Sequence, residues 1–234
     1  MPQSLRVAST VTAIYLALAI VGCRSEPGRL VPVESARAAP AQVTSWVGAT
    51  QPSVSRLHRF KWLFRDERSS AGGRGSARVA PPDSLRFDVA GPFGSGAAAA
   101  VVVGAQAVWV DPPNAVRRLI PNYTLLWALL GVARPPTAGA TLRGFSKGDR
   151  TVWQYAAGTD TIEYSRSTGQ SAGLTTEVRA AGKLIGRAET TLGSDGAPLK
   201  SRLTVPSAPA RLDITFLSTA PKTFAPETWL PRRH

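Results

Sequence analysis

The sequence is poor in the residues that build disulfides and most metal sites. Its 234 residues include one cysteine, Cys23, and two histidines, His58 and His234. A disulfide within the chain needs two cysteines, and a Cys/His metal site needs several such ligands, so both are excluded. We therefore expect no metal and no cofactor. Stability has to come from packing of the hydrophobic residues, which make up 43% of the chain.

Acidic residues are also scarce. The chain has 15 Asp and Glu residues and 28 Lys and Arg residues, which gives a formal net charge of +13. Most are isolated along the sequence, so a hydrolase with paired carboxylates is not expected, although carboxylates from distant strands could still converge. The positive charge suits an anionic partner. Because the export signal described below directs the chain out of the cytoplasm, the expected partner is an anionic lipid headgroup and not a nucleic acid. The simpler interpretation is that the arginines cover solvated outer faces of strands.

The longest uncharged apolar run lies near the N-terminus, at 7–22, directly after Arg6. A basic start, a short apolar core and small residues before a cleavage point are typical of a secretory signal. The run is shorter than the ~20 residues that a spanning helix needs. Its end, Ile20-Val21-Gly22-Cys23, resembles the lipobox of bacterial lipoproteins. That resemblance implies that Cys23 becomes the acylated first residue of the mature chain.

The remainder of the chain suits one folded domain. We expect a signal peptide at 1–22, then the lipidated Cys23 and a flexible tether rich in proline and alanine at 23–41, and a single domain at 42–234. A weak periodicity predicts a short helix at 41–51. Beyond it, alternating apolar and polar residues with a turn signal about every ten residues predict about a dozen antiparallel strands. The polar, glycine-rich stretch 66–75 predicts a hairpin loop.

One stretch interrupts the strand pattern. Residues 112–120 begin with proline and predict one or two helical turns. A second helix is predicted at 122–131, with Asn122 as its N-cap and Gly131 at its end. Because this second helix is apolar on nearly all sides, we expect it to be buried, as a plug inside a curved sheet. The sequence thus predicts a mainly β (α+β) fold, an open or closed barrel, and not a βαβ arrangement.

One motif matches a catalytic pattern. Residues 144–148, Gly-Phe-Ser-Lys-Gly, fit the G-x-S-x-G nucleophile elbow, and Asp213 and His234 follow in the chain order of a hydrolase triad. The elbow needs a turn from strand to helix, whereas 149–155 predicts a strand, and His234 is the final residue of the chain. The match is therefore interpreted as accidental, and no enzymatic activity is expected.

Large apolar side chains are the remaining signal, and they allow two interpretations. One is an ordinary barrel core, and the other is a cavity that accepts an acyl chain, with 112–131 as its lid or plug. Small residues at 97–100 and 156–157 favour some free volume. The candidate cavity or lid residues are Phe60, Trp62, Phe64, Phe87, Trp109, Leu126, Trp127, Leu130 and Trp153.

The layout of residues 55–220 resembles the outer-membrane lipoprotein receptor LolB, and also LolA and the mycobacterial LppX and LprG lipoproteins. The residues that carry the resemblance are Leu85-Arg86-Phe87, then Gly91-Pro92-Phe93-Gly94, then a helix ending in Leu126-Trp127 and Gly131. The resemblance implies a half-open antiparallel β barrel of about eleven strands, with short helices covering the opening and an apolar cavity. It also implies that Phe93 lies on a protruding loop that assists delivery to the membrane.

Taken together, the resemblance implies a lipid-anchored protein at the periplasmic face of the outer membrane. It would bind acyl chains of lipoproteins or lipids, for lipoprotein localisation or lipid transfer, and a periplasmic carrier protein is a candidate partner. The alternative is a scaffold or assembly lipoprotein with a fully packed barrel whose outer face binds a partner protein. The sequence leaves the ligand, the partner and the oligomeric state open.

Overall fold

The computed structural model describes residues 29–32, 34–92 and 96–231. In chain order, the elements in these ranges are β1 Ala36–Arg37, α1 Pro40–Gly48, β2 Arg56–Arg65, β3 Ser70–Ala80, β4 Ser84–Ala90, β5 Ala97–Val103, β6 Gln106–Asp111, α2 Pro113–Leu119, α3 Tyr123–Ala128, β7 Thr141–Lys147, β8 Arg150–Ala157, β9 Asp160–Ser167, β10 Gly173–Ala180, β11 Lys183–Leu192, β12 Pro198–Val205 and β13 Ala210–Pro221, followed by a short 3-10 helix at Pro226–Trp229. None of the helices in these ranges combines the length and apolar content of a membrane span.

The thirteen strands of the described ranges form one antiparallel sheet in the order β1-β7-β8-β9-β10-β11-β12-β13-β2-β3-β4-β5-β6. Every pairing follows the chain except two: β13 pairs with β2, and β1 pairs with β7. The strands β1 and β6 are the two ends of this order, so the sheet is not closed. The predicted mainly β, half-open architecture is therefore confirmed, with thirteen strands in place of eleven.

The sheet has an apolar inner face and a charged outer face. In β2 the side chains of His58, Phe60, Trp62 and Phe64 are buried, whereas the cations that alternate with them are exposed. This period of two places all four buried side chains on the face that holds the helices. The inner face forms one continuous core with α1, α2 and α3.

The hairpin between β2 and β3 corrects one sequence prediction. The loop covers only 66–69, where Asp66 Oδ1 accepts hydrogen bonds from the backbone N–H groups of Arg68 and Ser69 at 2.9 and 2.7 Å. The glycines that predicted a longer loop belong to β3. A Cβ on Gly73 would collide with the carbonyl oxygen of Ala90, and one on Gly75 would collide with the Phe60 ring. These glycines thus let β3 pack tightly against the backbone of Ala90 and the ring of Phe60, a role that composition alone does not distinguish from a turn.

Regular secondary structure begins before residue 42, inside the segment predicted as a tether. Strand β1 pairs with β7, and α1 starts at Pro40. Before β1, the backbone N–H of Leu30 donates to Glu163 Oε2 at 3.0 Å, and Arg143 donates to the carbonyl oxygen of Ser35 at 2.7 Å. Leu30 therefore contacts β9 through a buried carboxylate, and β1 extends the sheet beside β7.

Candidate functional site

Helix α3 fills the centre of the curved sheet. Its N-cap is Asn122, whose Oδ1 accepts from the backbone N–H of Thr124 at 2.8 Å, as the sequence predicts. The helical part ends at Ala128, and Gly131 takes a positive φ of 76° in the turn that follows. Leu125, Leu126 and Trp127 are each at most 1% exposed. The described structure thus has the predicted apolar helix inside the sheet.

Two hydroxyl groups of the sheet fix the end of this helix. Thr190 on β11 donates to the carbonyl oxygen of Ala128 at 2.7 Å, and Ser201 on β12 donates to that of Leu129 at 2.6 Å. The two hydroxyl oxygens lie 3.0 Å apart. The last carbonyls of a helix have no partner inside the helix, so these bonds satisfy groups that would otherwise be buried without one.

The Trp127 side chain fixes α3 on its other side. Its indole N–H donates to the carbonyl oxygen of Gly104, between β5 and β6, at 2.7 Å. The Arg134 guanidinium stacks over the Trp127 ring, 4.6 Å from its centroid, which is a favourable cation–π contact. The helix is therefore attached to both halves of the sheet through directional bonds.

The polar groups near α3 stay in fixed protonation states. Burial raises the pKa of the Tyr164 phenol, which accepts a hydrogen bond from the Arg134 backbone N–H at 3.1 Å. Burial likewise raises the pKa of Tyr155. For Arg134, burial lowers the pKa, while nearby Asp83 and Tyr164 oppose that change. Neutral phenols and a structural guanidinium hold the interior together and offer no group that titrates near neutral pH.

Most of the candidate cavity residues come together in the interior. Phe60 stacks on Phe87 with ring centroids 5.1 Å apart. The candidates on the inner face or on the plug, each at most 9% exposed, are Phe60, Trp62, Phe64, Phe87, Leu126, Trp127, Leu130 and Trp153.

One candidate residue lies on the other face of the sheet, and two fall outside the described residues. Trp109 is on the outer face, where the guanidinium of Arg86 lies 5.5 Å from its ring centroid, and the neighbouring Val110 packs against the core instead. A bulge between Val101 and Val102 shifts the pairing of β5 with β6, which alternation in β6 alone does not reveal. Phe93 and the lipidation residue Cys23 fall outside the described residues.

A second aromatic group in the interior was not predicted from the sequence. The Trp46 ring of α1 packs edge-on against the Trp153 ring, with centroids 6.3 Å apart. It is tilted against the Tyr164 ring, with centroids 5.7 Å apart. Tyr155 and Tyr164 lie 5.4 Å apart. The signal was present, because Trp153 and Tyr155 alternate along β8 in the same way as the aromatics of β2.

A narrow seam separates α2 from the sheet. Its cavity volume is about 10 Å³, roughly the space that one water molecule requires. Only apolar side chains line it. Those from the sheet are Phe87, Val89, Ala98, Ala99 and Ala100, and those from the helical segment are Val116, Leu119, Ile120 and Leu126. This seam is thus too small for an acyl chain as it stands.

Helix α2 is held differently from α3. It packs on β5 and β6 through the buried side chains of Val116 and Ile120. Its described side-chain hydrogen bond, from Arg117 to Asn114 at 2.8 Å, stays within the helix. Among the described side chains, α2 thus contacts the sheet through apolar groups, whereas α3 also has hydrogen bonds to it.

The nucleophile-elbow motif does not have the geometry of an active site. Ser146 lies in β7, and β8 follows after a tight turn at Gly148, so the segment is strand-turn-strand. Its hydroxyl donates to Thr151 Oγ1 on that next strand at 3.3 Å. The predicted strand after the motif is confirmed, and His234 lies outside the described residues. Within those residues, no group of three or more His, Cys, Asp or Glu side chains is placed to hold a metal ion.

Comparison with known proteins gives structural matches but none at the sequence level. No family model matches the chain, and no curated protein matches it. A DUF1329 family protein from Desulfovibrio piger matches with a TM-score of 0.53 at 6% identity, over 81% of this chain and 95% of that one. A LolA superfamily protein from Nitrosomonas europaea matches with a TM-score of 0.42 at 10% identity, over 83% and 98% of the two chains.

These likenesses concern the fold alone, because the sequence identities are so low. The Desulfovibrio protein matches above a TM-score of 0.5, so the comparison of architecture rests on it. An open antiparallel sheet curved around short helices is the arrangement described above. The chain thus shares its fold with the DUF1329 family protein, and the open sheet itself agrees with the half-open barrel expected from the sequence.

Proposed function

We propose that this protein is a lipid-anchored protein of the bacterial cell envelope that holds an acyl chain of a lipoprotein or lipid between its sheet and α2. The observation that carries the proposal is the wholly apolar seam between α2 and strands β4 and β5. Binding there transfers an acyl chain from one apolar environment to another and needs no catalytic group. The protein would take part in lipoprotein localisation or lipid transfer.

Opening of the seam requires α2 to move while α3 stays in place. Exposing Val116 and Ile120 would cost roughly 3–6 kcal/mol, because each buried aliphatic side chain contributes about 1.5–3 kcal/mol. A lauroyl chain has about eleven carbons beyond its carboxyl group and would return roughly 9 kcal/mol if fully buried, at about 0.8 kcal/mol per methylene. The free energy gained by burying the acyl chain thus exceeds the cost of exposing Val116 and Ile120. The seam is therefore closed when no ligand is present and open when an acyl chain occupies it.

The anchor is the part of the proposal that rests on the sequence. Acylation of Cys23 would attach the chain to a membrane, and Arg24 in the next position is compatible with sorting to the outer membrane. The structured chain begins at Leu30 or earlier, so seven residue steps separate it from Cys23. An extended chain of that length spans at most about 25 Å, which would keep the domain close to the membrane surface.

A second candidate function is a scaffold with a packed interior whose outer face binds a partner protein. The observation that favours it is the same small cavity of about 10 Å³, because a core without free volume needs no ligand. The two functions differ in whether an acyl group ever enters the seam.

Site-specific photo-crosslinking in living bacteria separates them. A benzophenone amino acid replaces Leu119, at the rim of the seam, in the full chain. The matched control carries it at Leu199, an exposed leucine of β12 that is 50% accessible. We expect Leu119 to crosslink to acyl-bearing lipids or lipoproteins and Leu199 not to do so. Protein-only adducts, or equal acyl adducts at both positions, would favour the scaffold.

A further inference from the structure

A groove of about 460 Å³ crosses the outer face of strands β2 to β6, on the side of the sheet opposite the helices. The register explains it: Arg59, Ser76, Asp88 and Ala99 lie directly opposite one another on four successive strands. Small side chains form the floor of the groove, since Ser76, Ala90, Ala97 and Ala99 line it. Its volume lies within the range typical of small-molecule sites.

Cations dominate the walls of this groove. Arg59, Arg74, Arg78 and Lys222 line it, against the carboxylates of Asp88 and Asp111. The side chains of Arg59 and Arg74 are exposed. In the described part of the chain no acidic residue forms an ion pair with Arg59, Arg74 or Lys222. Their charge is therefore available to a ligand.

The carboxylate on the floor serves to position arginines. Asp88 forms ion pairs with both Arg78 and Arg86, the latter at 3.1 Å. Arg86 in turn donates to the carbonyl oxygens of Thr228 and Leu230 at 2.7 and 3.0 Å, so it also fixes the C-terminal segment. Because Asp88 already has two guanidinium partners, it adds little repulsion toward an anion in the groove.

Two further features indicate an amphiphilic ligand. The indole Nε1 of Trp109 is buried at the groove and has no hydrogen-bond partner in the described part of the chain, so a donor is available there. Leu57 and Leu217 flank the cations, and Leu217 is 52% exposed. An exposed leucine beside unpaired arginines suits a molecule with an anionic head and an apolar continuation.

We propose that this outer groove binds the headgroup phosphate of an anionic phospholipid, with Arg59 and Arg74 as its main contacts. The proposal goes beyond acyl binding at the seam, because it concerns the opposite face of the sheet, and neither Arg59 nor Arg74 lines the seam. Anionic lipid surfaces attract clustered cations, and the short chain between Cys23 and Leu30 would keep this domain near such a surface. The dimensions of the groove suit one headgroup better than a macromolecule.

Native mass spectrometry of the full-length protein in a nonionic detergent provides the test. Phosphatidylglycerol and phosphatidylcholine with identical acyl chains are added in parallel, so a difference between them reports the headgroup alone. We expect phosphatidylglycerol to bind at least about tenfold more tightly. The double variant Arg59→Gln/Arg74→Gln should lose most of this preference. Addition of Trp109→Phe to that variant should weaken the preference for phosphatidylglycerol further.

The control variant Arg65→Gln/Arg68→Gln removes the same charge from the same hairpin but outside the groove, and it should bind within about twofold of the unmodified protein. Equal affinity for the two lipids, or equal losses in both double variants, would overturn the proposal. Full competition by glycerol 3-phosphate alone would also overturn it, in favour of a free-phosphate site. Selective binding of polyglutamate in place of the lipid would assign the groove to an acidic protein.

The same experiment distinguishes failure of this proposal from failure of acyl binding. Ala100→Leu fills the seam from the inner face of β5, and the preference for phosphatidylglycerol should persist in that variant. Loss of the preference in Ala100→Leu, in a protein of unchanged stability, would show that the lipid binds in the seam and not in the groove.

Discussion

Thr190 in β11 donates its hydroxyl to the carbonyl oxygen of Ala128, the last residue of α3, at 2.7 Å, with both groups buried. This bond joins the plug to β11, a strand that does not border the α2 seam. In the part of the chain that the structure describes, α3 and α2 contact the sheet differently although they are adjacent in sequence. Hydrogen bonds hold α3, and the described contacts of α2 with the sheet are apolar.

Replacement of Thr190 by valine should destabilise the protein by about 1–3 kcal/mol. The shape is retained, but the Ala128 carbonyl is left buried without its partner. The matched control is Thr191→Val, because Thr191 is the exposed neighbour on the same strand and should change stability by less than about 0.5 kcal/mol. Urea denaturation followed by circular dichroism measures both. Equal losses in the two variants would contradict the role assigned to Thr190.

His58 should make the fold less stable as the pH falls from 6.5 to 4. Burial, aided by the charge of Arg56, lowers the pKa of this imidazole from 6.5 to about 4. Between those values the unfolded chain binds the proton more readily than the folded chain, so the stability contribution is full above pH 6.5 and is lost toward pH 4.

The size of this effect should be about 3 kcal/mol, at 1.36 kcal/mol per pKa unit. It is measured as the free energy of unfolding against pH. His58→Gln keeps a polar partner for Thr219, whose hydroxyl lies 2.9 Å from His58 Nδ1, but cannot be protonated. The slope between pH 6.5 and 4 should therefore decrease in the variant. An unchanged slope would mean that His58 is not the group responsible.

Gly73→Ala should cost several kcal/mol, because the added Cβ would overlap the Ala90 carbonyl oxygen on the neighbouring strand. Strain of this kind belongs to the few mechanisms that produce losses of about 3 kcal/mol or more. Gly48→Ala is the control, since nothing lies within 4 Å of a Cβ there and alanine favours the helix. Thermal unfolding should show a lower Tm for the first variant and an equal or higher Tm for the second.

Variants on the two faces of the sheet should separate the two proposed sites. Ala100 lines the seam alone, whereas Ala99 borders both cavities, so the matched change in the groove is Arg59→Gln/Arg74→Gln. Ala100→Leu should reduce acyl crosslinking from position 119 by about tenfold and spare phosphatidylglycerol binding. Arg59→Gln/Arg74→Gln should do the reverse. The leucine overpacks a buried site and costs about 1–3 kcal/mol, so stability is measured alongside. Loss of both activities in either variant would contradict separate sites.

Cys23→Ser should abolish incorporation of labelled palmitate and leave an unprocessed, unlipidated chain. The expectation follows from the resemblance of residues 20–23 to a lipobox. Metabolic labelling followed by immunoprecipitation measures it, and Ser25→Ala is a neighbouring control that should retain the label. Retained palmitate in Cys23→Ser would place the lipid elsewhere and remove the anchor from the proposed function.

Local patterns determined most of the fold. Alternation predicted β2, β4 and the run of strands from β7 to β13, because one face of a half-buried strand repeats every two residues. The asparagine cap and the uniformly apolar character of α3 likewise predicted a buried helix. The glycines of β3 were misinterpreted, since a glycine required by a close neighbour and a glycine required by a turn are identical in the sequence.

The sequence by itself determined the class of the fold, its apolar interior and the position of the plug helix, since burial of apolar residues is encoded residue by residue. Only the tertiary structure decided that Trp109 faces outward, that Thr190 and Ser201 hold α3, and that cations from β2 and β3 share one groove with the indole of β6. Those relationships depend on strand register, and a single bulge between Val101 and Val102 is enough to change which side chains meet.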